Sequence, residues 1–360
     1  MLLFNLITLI VWFVMFQLRL KTFRGIVKGS INLDKVNIIL GSNNSGKSTI
    51  LEALSLISNP FRFVPYAFLV NNKIWRRLRA IEVIHELHKT LESKGFAFLL
   101  NSYRAEKAEI EFRNDSKKTV LNFTSHLDNI SCEMQIFPGT KSYSGARLSK
   151  YEFRIELVSF LFPGDAIDKQ FDALYFHPRL LEYAWAYFSR YWVEIAGEIT
   201  SSVARSLKEI LLEDYRDLTL EPFGGGKNTI YIYLGTGKRI RLGDLGDGVK
   251  IIVTLMILYE ISKPHWLLID DIESHMNPRM LTFLAQWLAR IADAGTNIVI
   301  TTHSIEAVKM VSSILEDKEP QILLLSLKNG KLASKRLTLN DIKELEEAGI
   351  DIRMAEGILL

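Results

Sequence analysis

The chain has 360 residues, 48% of them hydrophobic and 24% charged, with a formal charge of +3 at neutral pH. That length permits one large domain or two modest ones, and the composition excludes a disordered chain. So small a net charge does not argue for nucleic acid. The single cysteine, Cys132, excludes an intrachain disulfide or a thiolate metal cluster and points to a reducing, cytoplasmic setting.

In chain order, Met1 to Phe16 is an apolar run broken only by Asn5 and Thr8. It is shorter than the ~20 residues of a spanning helix, and it lacks the basic start and small-residue cleavage site of a secretory signal. Two readings stand: a membrane-associated anchor, or an over-extended start with the folded chain beginning at Met15. The second is preferred, because the folded pattern begins immediately after Met15. Phe16 to Lys21 alternates apolar and polar residues as a half-buried strand does, and Ile31 to Leu33 continues the pattern. Val36 to Leu40 reads as a buried parallel strand ending at Gly41. Ile50, Leu51, Leu54 and Ile57 then recur at helical spacing until Asn59-Pro60.

Residues 59–171 differ in kind. Ile74, Leu78, Ile81, Leu87 and Leu91 predict one amphipathic helix. The basic cluster Lys73 to Arg79, with Trp75, Arg76, Arg77 and Arg79, fits its solvated face and also permits DNA. Alternating runs at Ala108–Phe112, Val120–Phe123, Ile130–Ile136 and Phe153–Val158 are separated by turn formers such as Asn114-Asp115 and Pro138-Gly139. They predict a helix and antiparallel β subdomain inserted into a main domain made of residues 16–58 plus 172–360. That domain resumes near Leu174 to Phe176, followed by a helical region from Leu180 to Glu213 and a hairpin across Gly235-Thr236-Gly237. Helix (249–262), strand (266–269), helix (278–292) and strand (298–301) follow, then a strand, the Asn329-Gly330 turn, a second strand and a helix at 341–347. This alternation predicts an α/β fold with a mostly parallel sheet and helices on both faces.

Gly41-Ser42-Asn43-Asn44-Ser45-Gly46-Lys47-Ser48 fits G-x-x-x-x-G-K-[ST], the phosphate-binding loop, and lies between a buried strand and a helix. Its glycines let successive N–H groups face phosphate oxygens, and the helix dipole adds positive potential there. Lys47 would neutralise the terminal phosphates of ATP, Ser48 would hold magnesium, and Thr49 after it is a further nucleotide-binding candidate. Leu267 to Asp271 is an apolar strand ending in two acids, where burial of charge requires a cation or a strong partner. Asp270 is the magnesium candidate; Asp271 would orient or deprotonate the attacking water, and Glu273 could share that role. An N-terminal cap on the next helix is the plain alternative for these acids. His303, after the strand Ile298 to Ile300, would donate to a γ-phosphate oxygen.

Together these motifs resemble the ABC-type ATPases of the SMC, RecF and OLD group, especially stand-alone prokaryotic "AAA family ATPases" related to OLD proteins. Phe23-Arg24-Gly25 is similar to the F-R-[GS] element, whose arginine approaches the nucleotide. Asp270 to Pro278 is similar to D-E-P-E-A-H-L-H-P, and Leu245 to Lys250, with Gly246, Asp247 and Gly248, takes the place of the ABC signature. Gly349 to Arg353 also recurs in such proteins. The resemblance implies an ABC/SMC-type P-loop fold, Mg2+-dependent ATP hydrolysis and an ATP-sandwiched homodimer. It further implies a role in DNA repair or defence, on DNA or with a separately encoded nuclease or effector. Only 57 residues follow His303, too few for the TOPRIM nuclease domain of OLD proteins.

Departures temper this. The usual catalytic Glu is Asp271, which places a carboxylate ~1.5 Å short, and such a shift can cost ~100-fold in rate. Gly246 replaces the signature serine, Asn277 replaces the second histidine, and Gln170 is the candidate for the Q-loop glutamine. Two readings therefore compete with an ATPase: a nucleotide-gated binding module without turnover, and a transporter subunit, which only the apolar N-terminus favours. A GTPase is disfavoured because the N-K-x-D base-reading motif is absent.

Overall fold

The computed structural model describes residues 16–70, 74–91, 93–157, 162–211, 214–224 and 227–352. The N-terminal apolar run before Phe16 and Arg353 of the closing motif lie outside them.

Strands β1 (Phe16–Phe23), β2 (Ile26–Leu33) and β3 (Val36–Leu40) precede helix α1 (Lys47–Leu56). Next come β4 (Phe63–Val70), β5 (Ile74–Arg79) and α2 (Ala80–His88), then β6 (Lys107–Arg113), β7 (Lys118–Ser125), β8 (Asn129–Phe137), β9 (Lys141–Ser149) and β10 (Ile155–Leu157). After β11 (Ala173–Phe176) follow α3 (Leu181–Ile195), α4 (Glu198–Leu211), β12 (Tyr215–Phe223), β13 (Lys227–Leu234) and β14 (Arg239–Arg241). The chain goes on through α5 (Asp247–Ser262), β15 (Trp266–Ile269), α6 (Pro278–Asp293), β16 (Asn297–Thr302) and α7 (Ile305–Ile314). It closes with β17 (Gln321–Lys328), β18 (Lys331–Leu337) and α8 (Leu339–Glu347).

Thirteen of these strands form one sheet in the order β10-β9-β8-β7-β6-β1-β2-β18-β17-β3-β16-β15-β11. The stretch β17-β3-β16-β15-β11 is parallel throughout. Both faces of this stretch are covered, so every residue of β3, β15 and the edge strand β11 is buried. From β2 through β10 every pairing is antiparallel. The sheet is therefore mixed, not mostly parallel. The alternating runs expected as a separate inserted sheet pair instead with the free edge of β1, through Leu18↔Phe112 and Leu20↔Ile110. Short hairpin connections can make only antiparallel neighbours, so a meander added to β1 continues the sheet in that sense. Helix α1 packs across β11, β15 and β16, whereas α6 and α7 pack on each other and against β16, with α7 also on β3.

Other expectations change locally. The helix read over Ile74 to Leu91 is strand β5 followed by α2, and β5 pairs antiparallel with β4 through Trp75↔Leu69 and Arg76↔Phe68. The arginines lie over aromatic faces, Arg77 on Phe63 and Tyr187 and Arg79 on Phe63, so the cluster is not a solvated helix face. The long helical region is two helices, divided at Ala196-Gly197, where Gly197 takes φ +93°. Strands β9 and β12 and helix α7 complete the pattern without having been anticipated. β9 reads Lys-Ser-Tyr-Ser-Gly-Ala-Arg-Leu-Ser, too polar to register as a strand.

Candidate nucleotide-binding site

The loop Gly41 to Ser48 joins the carboxyl end of β3 to the amino end of α1. Left-handed backbone at Asn44 (φ +65°) and Gly46 (φ +97°) curls it. Lys47 is 5% exposed. Its Nζ donates to the carbonyl oxygens of Gly41 and Ser42, both at 2.9 Å, and to His303 Nδ1 at 3.0 Å. The ammonium thus spans the mouth of the loop, where phosphate oxygens would replace the carbonyls. Residues Asn43 to Thr49 line a cleft of about 810 Å³ together with Arg24, Asp271 and His303.

The acids arrive from β15. Asp270 is buried, accepts from the Tyr175 hydroxyl at 2.9 Å, and accepts also from Thr301 Oγ1. The Thr301 oxygen in turn accepts the Asp271 N–H at 3.0 Å. Asp271 has φ +52°, a left-handed conformation that short polar Asp and Asn tolerate better than longer residues. Its Oδ1 lies 3.0 Å from His303 Nε2. Because His303 Nδ1 faces the Lys47 ammonium, the ring proton sits on Nε2 and bridges Lys47 to Asp271. Burial and the adjacent Asp270 push the Asp271 carboxyl above its usual range. Glu273 Oε1 accepts the His303 backbone N–H at 2.7 Å and so fixes the strand end rather than reaching for water. The helix cap that was the alternative role of the acids belongs to Asn277, whose side chain accepts from Met280 N–H at 2.9 Å.

Ser48 lines the cleft, whereas Asp270 is buried and is not among its lining residues; both carry hard oxygen donors of the kind magnesium takes. Glu273 Oε2, buried and without a hydrogen-bond partner among the described residues, adds negative potential nearby that suits a cation. Arg24, at the β1–β2 turn, lines the cleft but is ion-paired with Glu52 of α1 and donates to His88 Nδ1 at 3.3 Å. Desolvation lowers its pKa to about 10. Gly246 to Gly248 form the start of α5 and do not line the cleft.

Three residues of the site escaped the sequence reading. Tyr175 and Thr301 hold Asp270, as described above. His177 continues β11 with extended backbone (φ −139°, ψ 141°), and the Phe176↔Ile269 register places it beside Asp270. Residues two apart on a strand share a face, so its ring lies on the face of Tyr175 and Asp270. His177 Nδ1 accepts the Arg179 N–H at 3.0 Å, leaving an N–H at Nε2, and burial lowers its pKa. Gln170, by contrast, lies in a single turn whose backbone Asp168 caps, before β11 begins. A polar residue at the carboxyl end of a buried parallel strand, Tyr-Phe-His before Pro178, is the signal that would have found His177.

The phosphate loop set between a buried parallel strand and a helix makes this a P-loop nucleotide-binding fold, and matches to ATPase family models support nucleotide binding of the ATPase kind. A family model described as "AAA ATPase domain" matches residues 15–136, and one described as "AAA domain, putative AbiEii toxin, Type IV TA system" matches residues 200–309. An uncharacterised protein of Methanocaldococcus jannaschii is 26% identical over 113 residues, 30% of this chain and 99% of that protein. Among solved structures, the SMC head domain from Thermotoga maritima is 14% identical with a TM-score of 0.45, covering 90% of this chain and 98% of that one. An SMC head bound to the C-winged helix domain of ScpA is 14% identical with a TM-score of 0.49, covering 91% and 98%.

Proposed function

We propose that the chain binds ATP with magnesium and hydrolyses it as a head-to-tail dimer. The observation that carries this reading is the Lys47–His303–Asp271 chain, which joins the phosphate loop to a carboxylate of raised pKa. Lys47 binds phosphate oxygens, His303 orients the γ-phosphate, and Asp271 receives the proton of the attacking water. Ser48 and Asp270 would hold magnesium, which would supply charge neutralisation. Arg24 reaches the nucleotide by leaving Glu52. Gly246, Asp247 and Gly248 of a second copy close the site with backbone N–H groups of the α5 start. In this reading residues 16–58 and 172–360 are the ATPase body, and residues 59–171 carry its action to DNA or to a nuclease or effector partner.

Phosphate release with and without DNA, at two salt concentrations, tests this directly. Lys47→Ala should abolish release and weaken ATP binding by about 10- to 100-fold, the worth of a charged hydrogen-bond set. Release equal to that of Lys47→Ala would instead establish a nucleotide-gated binding module, the reading favoured by Asp271 and Gly246. Stimulation by DNA that fades with salt would identify phosphate contacts.

A further inference from the structure

Between α2 and β6 the chain folds against the β1–β2 turn and encloses a second cleft, of about 890 Å³. Its charged lining has one sign. Arg24, Lys89, Lys94 and Lys150 line it, and no aspartate or glutamate among the described residues does. One-signed clefts with protein walls focus potential and concentrate counter-ions. Backbone contacts fix the rim: Phe96 N–H donates to Ser149 O at 2.9 Å and Ala97 N–H to Lys150 O at 3.4 Å. Between Lys94 and Phe96, Gly95 takes φ +89°, and an ideal Cβ there would lie 2.2 Å from the Lys150 carbonyl oxygen. The close approach that only glycine allows therefore brings Lys94 and Lys150 to one edge. Lys94 has no ion pair among the described residues, Lys150 Nζ reaches only the Leu127 carbonyl at 3.1 Å, and Lys89 stands 3.8 Å from Glu86. Phe98 and Tyr103 supply an aromatic wall, and Tyr103 is 69% exposed.

We propose that this cleft is a second anion site, separate from the phosphate loop, that takes a phosphorylated small molecule. Lys94 and Lys150 hold its phosphate oxygens, while Phe98 and Tyr103 leave room for an organic body. The volume lies within the range of small-ligand sites. Arg24, Gly25 and His88 line both clefts, so an occupant of the second bears on the Arg24–Glu52 pair that borders the first.

Equilibrium dialysis of labelled pyrophosphate tests the proposal on the full chain, once with the phosphate loop saturated by magnesium ATP and once with Lys47→Ala. Both preparations should bind about one pyrophosphate per chain. The affinity should fall at least tenfold in Lys94→Ala/Lys150→Ala, with ATP affinity and thermal midpoint unchanged. Displacement of pyrophosphate by ATP would overturn it, because the cleft would then house only the far end of the loop's own ligand. Binding insensitive to the two lysine changes, or no binding, would overturn it as well. A chain that fails to bind ATP yet keeps lysine-dependent pyrophosphate binding would refute the phosphate-loop reading and leave the second site standing.

Discussion

An ideal Cβ on Gly41 would lie 2.5 Å from Ser45 Oγ and 2.9 Å from the Leu325 carbonyl oxygen. The hydroxyl can rotate away, but the β17 backbone is held, because Leu325 pairs with Ser334 of β18 and the preceding Leu324 with Leu40 of β3. Gly41→Ala should therefore displace the loop and weaken ATP binding at least about tenfold, or ~1.4 kcal/mol, by calorimetry; unchanged affinity would contradict the geometry. His88 offers a pH prediction. Its Nε2–H donates to buried Glu52 at 2.6 Å and its Nδ1 accepts from Arg24, so protonation would set a proton against the guanidinium. Burial, then Arg24, lower its pKa to about 3. Below the unfolded value near 6.5 the unfolded chain takes up a proton that the folded chain refuses. Stability is thus full above that pH and falls as pH drops toward 3, by at most about 1.4 kcal/mol per unit. Thermal midpoints between pH 7 and 5 should drop more steeply for the wild type than for His88→Gln. At this scale the loop was legible because its information is local, eight residues at fixed spacing. The Tyr175–Asp270–Thr301 clamp was not, because its members come from β11, the residue after β15, and β16, which only the sheet brings together.

Among the elements, β3, β15 and β16 were readable as short apolar runs stopped by a polar loop, and α1 by the helical spacing of Ile50, Leu51, Leu54 and Ile57. β5 was misread because Ile74, Leu78 and Ile81 satisfy helical spacing while the actual break falls at Arg79, where Glu82 closes a capping box. The junction of α1 with β11 depends on one buried cation. Arg62 donates to the carbonyls of Ser55, Asn59 and Ala173 and pairs with Asp172 at 3.0 Å. Arg62→Ala would leave the carbonyls at the end of α1 unpaired in the core, at a cost of about 3 kcal/mol or more. Chemical denaturation should show that loss; a change under 1 kcal/mol, roughly the size of a surface substitution, would mean that water replaces the guanidinium.

For the whole molecule, the reading of the Gly246–Gly248 segment rests on a second copy, since one copy does not bring it to the loop. Asp271→Asn keeps a residue that accepts left-handed backbone while removing the base, so it should hold the ATP-bound pair closed. Equilibrium sedimentation at micromolar concentration should find a dimer with ATP and a monomer without; a monomer in both cases ends the sandwich proposal. Among the described residues no helix is long and apolar enough to cross a membrane.

The order of strands has a consequence for synthesis. β3, which launches the phosphate loop, is flanked by β16 and β17, whose residues lie more than 250 positions later. While the chain is being made, the apolar strand Val36 to Leu40 must wait with both edges open until Asn297 to Lys328 has left the ribosome. Such open edges invite pairing with other chains. Nucleotide cannot select the correct pairing early, because His303 and β17 arrive with the same late segment. The nascent chain should therefore depend on chaperones until Lys328 is exposed, and gain ATP binding abruptly thereafter.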